Sequence, residues 1–82
     1  LEARLALGNR YYQQHDLQSA QTHYELATTY HPTAGDAWNN LAQVLYDTHQ
    51  EAAARAAIAK ALALGGPRLE RYKLTALEHP VR

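Results

Sequence analysis

The sequence predicts an all-α domain, and three observations predict it. Among 82 residues there are sixteen Ala and twelve Leu, while β-branched residues are scarce and Phe is absent. Alanine and leucine lose least on entering a helix, so the intrinsic preference runs helical throughout. Proline, glycine and short polar pairs fall at intervals that suit helices and leave no alternating run for a strand. The third observation is a repeat: residues 1–34 laid on 35–68 share Ala3/Ala37, Leu7/Leu41, Tyr12/Tyr46, His15/His49, Ala20/Ala54 and Ala27/Ala61.

The breakers divide the chain into five elements. Residues 2–14 read as a helix, and His15-Asp16 as a turn. The second helix covers 17–30 with Asp16 as its N-cap, a carboxylate able to accept from the first free backbone N–H groups. His31-Pro32 stops it, because the residue before proline is driven out of the α region. Thr33 and Asp36 have capping-box spacing and open a third helix running to about Thr48. His49-Gln50 is the second short turn, and a fourth helix spans about 51–63. Gly65-Gly66-Pro67 reads as a C-cap followed by proline at the first position of a fifth helix, 68–78, ended by His79-Pro80. On that last helix Leu69, Tyr72 and Leu77 are expected to cover the second repeat, with Glu70, Arg71, Lys73 and Glu78 in water and Leu74 left exposed.

A 34-residue period of paired helices resembles the tetratricopeptide repeat. In the first copy Leu7, Gly8, Tyr11, Ala20, Tyr24, Ala27 and Pro32 match the family pattern, with Arg4 where tryptophan is usual. In the second Trp38, Leu41, Ala42, Leu45, Ala54, Ile58 and Ala61 match, and the proline is displaced by one to Pro67. The resemblance covers residues 1–68 and implies a right-handed stack of antiparallel helix pairs: repeat 1 at 1–34, repeat 2 at 35–67 and a capping helix at 68–79. It is independent of the physics, which asks for small residues where helices cross and for stacked neighbours, since one pair cannot bury its apolar side.

That family presents a concave groove lined by the first helix of each pair. Carried over residue by residue, the resemblance puts Asn9, Tyr12 and Gln13 there from repeat 1, Asn39, Asn40, Gln43 and Tyr46 from repeat 2, and Lys73 from the cap. Glu2, Leu5, Ala6, Asp36, Asp47 and Leu77 are further groove positions. Tyrosine offers apolar area with a hydroxyl handle, and asparagine amides can pair with the backbone of an extended peptide. The implied partner is a protein or peptide. A spacer or homodimerisation arm is the alternative. The carboxylate clamp of some relatives is incomplete, because Leu5 stands where its first lysine belongs. The run Asn39-Asn40-Leu41-Ala42, with Leu64-Gly65-Gly66-Pro67, Tyr72 and Thr75 beyond, also looks like the C-terminal repeat region of bacterial C39-like peptidase proteins. That likeness implies an accessory domain of an exported parent whose catalytic residues lie upstream; cytoplasm and bacterial envelope both stay open.

Chemistry other than binding finds no support. Cysteine is absent, and Ser19 is the one serine, without a base or acid partner at any recognisable spacing. His15, His23, His31, His49 and His79 have no metal-ligand spacing, and a turn role suffices for His15 and His49. No catalytic, cofactor or metal residue is assigned. Eight basic and eight acidic side chains cancel, so no global field favours nucleic acid or an anionic membrane. Apolar runs fall well short of the ~20 residues of a membrane span. Charge is nonetheless lopsided: residues 1–50 hold two basic against five acidic groups, a net of −3, and 51–82 hold six against three, a net of +3. The chain has no methionine, even at position 1, and reads as a piece of a longer protein.

Overall fold

The computed structural model describes residues 2–78, and these form five α-helices and no strand. They are α1 (Glu2–Gln13), α2 (Leu17–Tyr30), α3 (Gly35–Asp47), α4 (Glu51–Leu64) and α5 (Leu69–Glu78). The anticipated stop at His79-Pro80 lies outside the described residues.

The two short turns are built alike. After α1, the His15 N–H donates to the Tyr12 carbonyl at 3.0 Å and the Asp16 N–H to the Tyr11 carbonyl at 2.9 Å. After α3, the His49 N–H donates to Tyr46 at 3.0 Å and the Gln50 N–H to Leu45 at 2.8 Å. These are paired Schellman bonds, which need a left-handed residue just past the helix. His15 and His49 supply it, with φ of 63° and 62°. A non-glycine residue there costs about 1–2 kcal/mol, partly offset by the greater entropy glycine loses on folding. His49→Gly is therefore expected to stabilise the chain by about 0.5–1 kcal/mol, whereas His49→Val, branched at Cβ, destabilises it. Thermal melts of the pair read both signs.

Caps follow the sequence in part. Asp16 accepts from the Ser19 N–H at 3.2 Å, as anticipated. The capping box at α3 does not form: the cap is Ala34, with no side-chain bond, and Thr33 lies outside. Asp36 therefore sits at the second helical position, and its oxygens turn to α5, accepting from the Tyr72 hydroxyl at 2.7 Å and from Arg68. Pro67 precedes α5 rather than opening it, since the first intrahelical bond runs from the Tyr72 N–H to the Arg68 carbonyl. Gly65 and Gly66, at φ of 65° and 92°, make the reversal before it.

Cross-contacts set the helix directions. Arg4 lies over the Tyr30 ring, Gly8 against Tyr24, and the Tyr11 ring stacks on His23 at 5.3 Å, so α1 and α2 are antiparallel. Asn9 meets Asn40 and Tyr12 meets Asp47, while Asp36 meets Tyr72 and Gln43 meets Thr75. Helices α1, α3 and α5 therefore run in the same direction, each displaced from the last by a similar number of residues. The core lies among them and α2 and α4: Ala20, Ala27, Ala37, Ala42, Ala54 and Ala61 are fully buried, and Tyr24, Val44, Ile58 and Tyr72 fill the space they leave.

The outer helix docks by a different stripe from the one expected. Tyr72 is buried and Leu69 half-buried, but Leu77 is 73% exposed, and Thr75, not anticipated, is buried at 2%. Positions 72 and 75 face α3, which turns 77 nearly to the opposite side at about 100° per residue. Leu74 is exposed as expected.

Candidate functional site

The residues expected to line a groove belong to the α1, α3 and α5 layer, and two pairs of them, Asn9 with Asn40 and Tyr12 with Asp47, bond to one another. The Asn9 side-chain oxygen accepts from the Tyr24 hydroxyl at 2.5 Å and, at a long 3.4 Å, from the Asn40 amide. The Tyr12 hydroxyl donates to the Asp47 carboxylate. Gln43 donates to the Thr75 hydroxyl at 3.4 Å. Asn9 and Gln13 are exposed; Tyr12, Asn40 and Gln43 are half-buried.

Two residues depart from the expected surface. Asn39 is 1% exposed and Tyr46 is 9% exposed, so both belong to the interior. In the stripe Asp36, Asn39 and Gln43, spaced by three and four, the outer two meet Arg68, just before α5, and Tyr72 and Thr75 on it. The middle member of that stripe, Asn39, is buried. Neither polar atom of the Asn39 side chain has a hydrogen-bond partner. Lys73 is exposed and pairs with Glu70 at 3.3 Å, three residues back on its own helix.

Where α1 ends beside α3, a cleft of about 510 Å³ opens between Tyr12, Gln13, His15, Leu17 and Asp47. It unites two of the expected residues, Tyr12 and Gln13, with Asp47, while Lys73 does not line it. His15 and Leu17 were not foreseen. The 34-residue equivalence of the turns pointed to this end of the layer, but not to a cleft there. A second hollow of about 310 Å³ lies on the other side of the molecule, floored by Trp38, Leu41 and Leu45 of α3 and walled by α2 and α4.

Tyr12, Tyr24 and Tyr72 are held neutral. Burial pushes the Tyr24 hydroxyl up to about 12, and burial with the Asp36 bond does the same for Tyr72. Burial first, then its bond to Asp47, raises Tyr12 as well. A raised folded-state value for an acid means that its stabilisation is present below the unfolded value near 10 and is lost as pH climbs through the folded one. The fold is expected to lose stability as pH climbs from about 10 to 12, with these tyrosinates appearing together with any loss of helix. Ultraviolet titration alongside circular dichroism checks this; independent ionisation at an ordinary value with helix intact would contradict it.

Among the described residues, no three His, Asp or Glu side chains come together to hold a metal ion. No helix among them is long and apolar enough to cross a membrane. The chain thus falls in the class of small all-α domains with a polar helix layer on one side and a shallow apolar hollow on the other. No family model matches it, and no curated protein matches it.

Proposed function

We propose that this chain is a non-catalytic binding module of the tetratricopeptide-repeat type: a right-handed stack of two helix pairs, α1/α2 and α3/α4, closed by α5. It takes a peptide or partner segment on the face of α1 and α3. What supports the repeat reading is the duplication of one turn, His15 and His49 with matching Schellman bonds and φ values one degree apart. Helices α1, α3 and α5 follow at matching displacements.

The binding reading rests on a single observation: the cleft at Tyr12, Gln13 and Asp47. Asp47 gives it a carboxylate, Tyr12 an aromatic wall and Gln13 an amide with no hydrogen bond among the described residues, a set suited to an extended peptide carrying a basic side chain. Asn9 and Asn40 lie a few residues back along the same two helices, where peptide amides can compete for the long bond between them. A second reading, a spacer or dimerisation arm, is favoured by the extent to which this layer's polar groups are already bonded to each other.

Selection of short peptides from a random library on the immobilised domain separates the two. The binding reading expects basic peptides that lose affinity at least tenfold on a Gln13→Ala/Asp47→Lys variant and keep it on a variant altered only on the α2/α4 side. Peptides indifferent to both changes in the cleft, or no enriched peptide at all, would remove it in favour of the spacer.

A further inference from the structure

The hollow on the α2/α4 side and the outward face of α5 fit one another, and neither is used by the reading above. The hollow has an apolar floor of Trp38, Leu41 and Leu45, and its α4 wall is made of Ala53 and Ala56, which present nothing beyond a methyl group. Glu25 stands on the α2 wall and Lys60 on the α4 wall. Lys60 lies over the Trp38 ring at 5.8 Å, and Glu25 forms no ion pair among the described residues.

Among the described residues the most exposed leucines are Leu74 and Leu77, at 59% and 73%. At about 100° per residue they form one stripe, roughly opposite Tyr72 and Thr75, the residues that hold α5 on α3. Lys73 flanks the stripe on one side and Glu78 on the other. A groove with an acid on one wall and a base on the other is thus matched by a ridge with a base on one flank and an acid on the other. Within one chain the two cannot meet, because Tyr72 and Thr75 anchor α5 with its leucines facing away.

We propose that the Leu74/Leu77 ridge of α5 docks into the α2/α4 hollow of a second copy of this chain. Leu74 and Leu77 cover the Trp38–Leu45 floor, Lys73 meets Glu25, and Glu78 meets Lys60. Ridge and hollow are different surfaces, so the contact is heterologous: each added copy leaves one ridge and one hollow free, and association continues beyond a dimer. One helix in one groove is a small interface, so assembly is weak and rapidly reversible. Its ion pairs are exposed, so it weakens as salt rises.

Two variants and their mixture test this by sedimentation equilibrium. Leu74→Ser/Leu77→Ser removes the ridge and keeps the hollow. Ala56→Arg blocks the hollow and keeps the ridge. Both change exposed helix positions, and circular dichroism checks that helix content is unchanged; Ala53→Arg is a second way to block the hollow. The wild type is expected to rise in average mass with concentration, less so in high salt. Each variant alone is expected to lose at least tenfold in association constant. An equimolar mixture is expected to form a dimer of one of each and nothing larger, with a shift in the emission of Trp38, the only tryptophan. A wild type that stays monomeric, a variant that still assembles alone, or a mixture that does not pair would each overturn the proposal. A monomeric wild type that still selects peptides on the opposite face leaves the binding reading standing.

Discussion

Tyr24→Ala is expected to lower stability by about 3–5 kcal/mol, the range for emptying a buried aromatic site. That takes most of the reserve of a domain this small, with melting displaced by about 4–8 °C for each kcal/mol. The ring is 2% exposed and lies close against Gly8, where a Cβ would come within 2.6 Å of its Cδ1 atom. Its hydroxyl holds Asn9. Tyr24→Phe, which keeps the ring and loses that bond, should cost only about 0.5–1.5 kcal/mol. The close approach to Gly8 adds a sign test. In the wild-type chain Gly8→Ala forces the ring aside and destabilises by about 1–3 kcal/mol. In a Tyr24→Ala background the clash is gone, and the same change should stabilise by the ~0.5–1 kcal/mol that separates alanine from glycine inside a helix. Chemical denaturation of the four proteins measures the cycle; equal effects of Gly8→Ala in both backgrounds would mean that ring and backbone are not in contact.

Asn39→Leu is expected to act in the opposite direction. Leaving a buried polar group unpaired costs about 1–3 kcal/mol, and Asn39 leaves both its amide nitrogen and its oxygen so. Leucine is of similar size and carries no such groups. The variant should melt higher by several degrees, at about 4–8 °C per kcal/mol, and Asn39→Asp, which buries a charge at the same place, should melt lower. A fall in melting temperature on Asn39→Leu would indicate that a bound water satisfies the amide. Because this residue is buried, peptide binding on the α1/α3 face should be unaffected by the change.

The secondary structure was largely legible, because its punctuation is local chemistry. Asp16 caps α2, Pro32 ends its possibilities, and two glycines separate α4 from α5. Both histidine turns stood out through their 34-residue equivalence. What was misread depended on the neighbours. Thr33 and Asp36 have the spacing of a capping box, yet the carboxylate finds a stronger set of partners in Tyr72 and Arg68, thirty-odd residues away. Leu77 looked like a core residue because leucine usually is one. The stripe that docks is set instead by Tyr72, whose ring packs against Gly35 while its hydroxyl reaches Asp36.

The same reason explains the candidate site. Spacing identified a layer of polar residues on α1 and α3, but could not rank neighbours one helical position apart. Asn39 and Asn40 are adjacent and of one type; one is sealed in the interior and the other meets Asn9. Tyr12 and Tyr46 are repeat equivalents, yet Tyr12 lines a cleft while Tyr46 is buried among the core side chains. Their difference comes from position in the stack, since α3 has a neighbour on each side and α1 has α3 alone in its layer.

The central claim is that this domain binds through the α1/α3 face. Amide chemical-shift mapping with a selected basic peptide tests it most directly. The account predicts perturbations that saturate together and cluster at Asn9, Gln13, His15, Asn40 and Asp47, with Trp38 and Ala56 unmoved. Shifts gathered instead around Trp38, Ala53 and Ala56, with Gln13 and Asp47 silent, would contradict it.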